Sequence, residues 1–383
     1  MFKKQNCLKI AIMFMLLISL PSFSFSQETD KNYLTWSVLG MRAAYEAAVN
    51  TQHELGIDYA AIVLTNAGYA EIDGLSTEAA LDGLQELTYA SRGNNSLVEV
   101  HSKYDDALWF AIYYPTSGMC AYLEVNPLSV SKLFSSTDSP SFYQIITDNL
   151  AVSSSELFSI ASFENINPEH LYANADEYND KFGTQLVFGK NAFRIVTIAN
   201  AVAKGAPKSL LRSVEFHDHY CPGVTSGILA VNYIKKNFPL TSGGSYFVQS
   251  VQPWCKEDAL MTLLNATPGK GGYSVLYSTA EDREAWNEDV KDAATIIYRQ
   301  DGETKKWDGI VIGISLGDTG CPDYGTGSIM SKLCSDLWHL DRLDQPESFV
   351  KVINQFELPE GVSPKDWARP GVDPMKQLGL VQE

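Results

Sequence analysis

The sequence predicts an α+β protein built from two similar α+β domains that arose by internal duplication, each a strand cluster packed with helices. Three observations carry that expectation. Apolar residues make up 45% and charged residues 20% of the 383-residue chain, a globular balance at a length that suits two domains. Helical segments alternate with short runs of β-branched and aromatic residues. The chain also reads as if written twice. ALDGLQELTYASRGNNSLVEV (80–100) lies along EDALMTLLNATPGKGGYSVLY (257–277), with Asp82 meeting Asp258 and Gly93 meeting Gly269. DALWFAIYYPTSG (106–118) then resembles DAATIIYRQDG (292–302), and SVSKLF and SPSFYQII find counterparts in SIMSKLC and QPESFVKVI, in the same order.

In chain order, residues 1–26 read as an export signal. Lys3, Lys4 and Lys9 precede the apolar run IAIMFMLLISL, and the small residues Ser24 and Ser26 precede Gln27. The run is too short to span a bilayer, and no later stretch is long and apolar enough. The expectation is a periplasmic or secreted protein with no membrane span. The two domains then cover 27–205 and 206–383, with the boundary at AKGAPKSL, where Gly205 and Pro207 interrupt any helix.

Each half repeats one outline. A helix comes first (GMRAAYEAAVNTQHEL, then PGVTSGILAVNYIKKN), followed by a strand (YAAIVLT, then YFVQSVQ). A second helix (ALDGLQELTYA, then KEDALMTLLNA) ends at a glycine-containing turn. Strands such as YSVLYS, AATIIYR and GIVIGIS follow, then short helices. The proline-rich tail ELPEGVSPKDWARPGVDPM reads as irregular chain over the surface.

The net charge is −17, and loss of the three signal lysines makes it more acidic still. Such a surface repels phosphate backbones, so nucleic acid is excluded as a partner. Of the six cysteines, Cys7 leaves with the signal. Cys120, Cys221, Cys255, Cys321 and Cys334 remain, and an odd number in an oxidising compartment leaves at least one thiol free, metal-bound or paired between chains.

Chemistry concentrates in FHDHYCPGVTSG (216–227). Pro222 suits the first turn of a helix. Cys221 then falls at the N-cap, where unpaired N–H groups and the helix dipole favour thiolate. His217 and His219 are two apart and in an extended segment point the same way, with Cys221 in the same parity. Cys255 opens the next helix and supplies a fourth ligand or a partner thiol. Asp258, one turn later, is placed to orient a histidine. Mixed imidazole and thiolate ligands favour a transition metal, zinc first. Anchoring Gly227 on Gly40 sets Asp30 opposite His217, Asn32 opposite His219, Leu34 opposite Cys221 and Ala79 opposite Cys255. The first half keeps the scaffold without the reactive residues, so those residues read as functional.

HDHYCPG followed by a helix and WCKEDALMTLLNATPGKGGY resembles the E-subunit family of formylmethanofuran dehydrogenase, which carries His-Gly-His-x-Cys-Pro-Gly, Cys-x-x-Asp-Ala and Gly-Lys-Gly. These fall on His217, His219, Cys221, Pro222 and Gly223; on Cys255, Asp258 and Ala259; and on Gly269, Lys270 and Gly271. The resemblance covers about residues 214–300 and implies an α+β core with the His and Cys residues gathered at a metal-binding or active site. It also implies dimers, which two fused copies reproduce as a monomeric pseudo-dimer, with a homodimer as the alternative. Asp218 stands where the family has glycine, and Ala266 where many members have a second cysteine.

The leading function is an exported protein that binds a metal ion or a small metal complex through His217, His219, Cys221 and Cys255. A second reading is a metal-dependent or thiol-based enzyme with Cys221 and His219 as its catalytic groups. A third is a tetrapyrrole carrier, with Tyr220, Trp254, Tyr273 and Trp286 walling a flat pocket. Lys270 is a candidate for holding an anionic group, against the plainer reading of a lysine complementing a helix end. Cys221 with Cys255 as a plain disulfide also stays open. Cys321 pairs preferentially with Cys334.

Overall fold

The first helix, α1 (Gln27–Asn50), starts well ahead of Gly40, where the sequence pattern placed it. Its buried face runs through Trp36, Leu39, Ala43 and Ala47. The computed structural model describes residues 27–53, 61–135 and 142–382. The basic and apolar stretch 1–26, with Cys7, lies outside them. Among the described residues no helix is long and apolar enough to cross a membrane.

Two five-stranded sheets form the frame. The first contains β1 (Ile62–Thr65), β2 (Leu97–Glu99), β3 (Trp109–Tyr114), β4 (Met119–Val125) and β5 (Phe158–Asn165), in the order β2-β1-β3-β4-β5. The second contains β6 (Ser245–Ser250), β7 (Tyr273–Val275), β8 (Ala293–Gln300), β9 (Trp307–Ile314) and β10 (Val350–Glu357), in the order β7-β6-β8-β9-β10. In each, the first strand pairs parallel with the second and antiparallel with the third, and the remaining pairs are antiparallel. The parallel pair demands a crossover. α2 (Ala80–Thr88) supplies it in the first half and α6 (Lys256–Leu263) in the second. One topology used twice is compatible with the duplication read from the sequence.

Period-two alternation sorts the strand residues between faces. Val63, Phe110, Ile112 and Leu123 turn to α1 and α2. Leu64, Trp109, Ala111 and Tyr122 turn instead to a central core. That core is shared by both halves: α3 (Ala192–Ala203), α4 (Lys208–His217), α5 (Pro222–Asn237) and α7 (Ile329–Leu340) bring it to Val248, Ile297 and Ile312 of the second sheet. The remaining face of the second sheet, with Phe247, Ile296 and Tyr298, is covered by Trp286, Trp367, Met375 and Leu380. The proline-rich tail is therefore a layer of the core and not loose surface chain: its apolar residues cap a sheet face that would otherwise meet water.

Within each half the two leading helices cross at glycine. A Cβ on Gly40 would lie 2.1 Å from the Ala80 carbonyl oxygen, and one on Gly227 would lie 2.4 Å from that of Lys256. These contacts match the alignment of Gly40 with Gly227. The Cys321–Cys334 disulfide is present as expected, and Cys120 is a buried free thiol. Gly227→Ala is expected to lower the free energy of unfolding by about 1–3 kcal/mol through overpacking, read as a lower urea midpoint at unchanged m value.

Candidate metal centre

α4 ends at His217, and Asp218 follows in the left-handed region at φ 72°. The chain turns there, and the His219 ring comes to lie beside that of His217 with centroids 4.4 Å apart. The extended segment expected over these residues is thus replaced by a helix end and a left-handed reversal. Cys221 is the N-cap of α5 with Pro222 at its first position, and Cys255 is the N-cap of α6. The helix crossing brings these two starts together. A Cβ on Gly223 would stand 2.7 Å from Cys255 Cβ and 3.1 Å from its sulfur, so a side chain there would push the sulfur away.

One ligand atom from each of His217, His219, Cys221 and Cys255 lies within 4.8 Å of the other three. Around a tetrahedral zinc with bonds of about 2.0–2.3 Å, ligand atoms stand about 3.3–3.8 Å apart, so a small contraction suffices. Each imidazole is held from behind by a carboxylate. His217 Nδ1 pairs with Asp258 Oδ2 at 2.6 Å and His219 Nδ1 with Asp218 Oδ1 at 2.5 Å. Asp218 Oδ2 in turn accepts from Arg194 at 3.0 Å. His217 Nε2 is left buried without a hydrogen-bond partner. The side chains of His217 and His219 are 13% and 25% exposed, so the centre opens to water on the His219 side.

The charges follow from this geometry. The Cys221 thiol first, then the two imidazoles, stabilise negative charge on Cys255 and hold it far below the ordinary thiol range. Its hydrogen bond to Cys255, together with burial, pushes Cys221 up. Of this pair, Cys255 is the less deeply buried sulfur and the one that faces both rings. Burial pushes His217 down, but the Asp258 hydrogen bond and the adjacent Cys255 sulfur outweigh it and bring the group up to about 9. His219 rises for the same kind of reason, with burial offset by Asp218 and Cys255. Burial raises Asp218, yet His219 and Arg194 outweigh it and hold the carboxyl below its usual value.

Other candidates fall elsewhere. Lys270 follows the far end of α6, exposed and bonded to Asn265. Tyr220 is fully buried, with its hydroxyl on the Asp336 carbonyl oxygen at 3.2 Å. Tyr273 and Trp286 are likewise buried in the core, and of the four aromatics only Trp254, at 59% exposure, meets solvent. Trp254 and Lys256, on either side of Cys255, line a cavity of about 430 Å³. His339 is buried, with its ring centroid 5.0 Å from that of Trp338. Arg194 escaped the sequence reading because nothing in its local spacing marks it. For Asp218, the position between two histidines is the available sequence signal.

Residues 216–325 match the family model described as FmdE, Molybdenum formylmethanofuran dehydrogenase operon. The segment that carries all four ligand-type residues is thus similar to the E-subunit family of formylmethanofuran dehydrogenase, as HDHYCPG and WCKEDALMTLLNATPGKGGY indicate. No curated protein matches the chain.

Two outcomes are expected. Asp258→Ala, by releasing the His217 ring, weakens metal binding about 10–100-fold in competition with a chromophoric chelator. The second concerns Asp336, whose oxygens are buried and unpartnered and whose carboxyl burial holds well above the ordinary range. The folded chain holds that proton to higher pH than the unfolded chain, which releases it above about pH 4. The associated stability is full below that pH and lost as pH rises toward the folded value. Asp336→Asn therefore gains unfolding free energy over wild type at pH 8 and little at pH 4, measured by urea titration.

Proposed function

We propose that this protein is an exported metal-binding protein similar to the E-subunit family of formylmethanofuran dehydrogenase. It holds a transition metal ion through His217, His219, Cys221 and Cys255, with zinc as the first choice. The observation that carries this reading is the buried, unpartnered Nε2 of His217 beside two sulfurs. A buried polar atom left unsatisfied costs about 1–3 kcal/mol, and a bound ion removes that cost. Two imidazole nitrogens and two sulfurs suit zinc, with iron, nickel or copper as the other choices.

Four protein ligands fill a tetrahedral shell, whereas zinc sites that activate water keep a position open. Holding an ion is therefore favoured over turnover. When bound, the ion supplies the positive charge that keeps both sulfurs deprotonated. The chain's own contribution is to fix both rings with carboxylates and to close the helix starts over the sulfurs. All four ligands come from one half, so one chain suffices to complete the centre. Export rests on the 1–26 stretch, and a disulfide such as Cys321–Cys334 suits an oxidising compartment.

Elemental analysis of protein purified without a histidine tag tests the reading. About one ion per chain is expected in wild type, lost in both His217→Ala and Cys221→Ser while the circular dichroism spectrum is retained. Metal-free wild type that takes up no zinc on dialysis against it defeats the reading.

A further inference from the structure

Residues 27–205 supply no ligand, yet they hold the ligand turn on both sides of His217. His101 donates its backbone N–H to the Glu215 carbonyl at 2.9 Å, and its Nδ1 lies 3.2 Å from the Phe216 carbonyl. The His101 ring stacks on Phe216 with centroids 5.7 Å apart. The buried Glu215 carboxylate takes Arg92 at 3.2 Å. Beyond His217, Arg194 of α3 holds Asp218 at 3.0 Å, and Thr197 of the same helix accepts the Tyr220 N–H at 3.4 Å. The gripped residues 215, 216, 218 and 220 bracket His217 and His219.

We propose that the half without ligands is the positioning element of the metal centre, and that Arg194 is the positioning residue for His219. This rests on the metal-binding reading. The contact chain is short: the Arg194 guanidinium holds Asp218 Oδ2, and Asp218 Oδ1 holds His219 Nδ1. Asp218 is 32% exposed, so without Arg194 the carboxylate turns to water. The His219 ring then loses the bond that fixes its orientation and tautomer, and the shell keeps three ordered ligands in place of four. Arg194 does this without serving the core. The buried face of α3 is Ile195, Val196, Ile198 and Ala199, while Arg194 reaches outward to Asn191 and Asp218.

The test uses the full chain loaded with Co(II), whose d–d bands report coordination geometry and whose charge-transfer bands report the thiolates. Arg194→Met is compared with Arg194→Lys, with Asp218→Asn, and with Lys204→Met. The last breaks the Lys204–Asp341 pair (3.1 Å) at the end of the same helix. Arg194→Met is expected to weaken Co(II) binding about 10–100-fold and to change the d–d bands while the charge-transfer bands persist. Asp218→Asn does the same, Arg194→Lys recovers part of the loss, and Lys204→Met matches wild type. Wild-type affinity and spectrum in both Arg194→Met and Asp218→Asn overturn the proposal, as does an equal loss in Lys204→Met. Wild type that takes up no Co(II) brings down the metal-binding reading itself, whereas a binding wild type with indifferent variants sinks the positioning role alone.

Discussion

The near-contact of two helix backbones at Gly223 and Gly227 is the constraint on which the site depends. Two helix starts can share one small space only if nothing larger than hydrogen stands between them. With that condition met, the sulfurs of Cys221 and Cys255 meet where two sets of unpaired N–H groups and two helix dipoles point. The result is a pair of sulfurs faced by two imidazoles, with one ligand atom from each of the four side chains within 4.8 Å of the others. The geometry serves the fold as well as the chemistry. The first half makes the same crossing at Gly40 and Gly83, with a Gly83 Cβ 1.8 Å from the Ser37 oxygen, and places no reactive residue there.

What separates the halves is a break in one helix. α1 runs unbroken from Gln27 to Asn50, through Asp30, Asn32 and Leu34, the counterparts of His217, His219 and Cys221. On a continuous helix, residues two apart lie on nearly opposite sides, so no such trio could converge. In the second half the helix stops at His217, reverses at Asp218 and restarts at Pro222. The interruption creates the site. The supporting carboxylate keeps its position and changes its partner: Asp82 takes the Tyr33 hydroxyl at 2.9 Å where Asp258 takes His217. Asp218 also accounts for its departure from the family's glycine. The position has a positive φ, which glycine accepts freely and aspartate tolerates, and aspartate adds the carboxylate that holds His219.

Much of this was legible in the chain. The four ligand-type residues, the N-cap at Cys221, Asp258 behind a histidine and the Cys321–Cys334 pair all follow from local rules: helix caps, helical spacing and cysteine parity. Local rules failed where the answer was tertiary. A two-residue spacing is the same in a strand and in a left-handed turn, so the path of 217–221 was misread. Arg194 is distant in sequence from its function. The tail carries its apolar residues too sparsely to announce a core layer.

The spread of the ligands, from 217 to 255, has a further effect. An ion joining these ends would close a long loop and remove conformations open to the denatured chain, much as a covalent cross-link does. Loading would then act as a removable staple. An empty molecule would open more often and be cut sooner by proteases, so the amount of protein surviving would itself record the supply of metal.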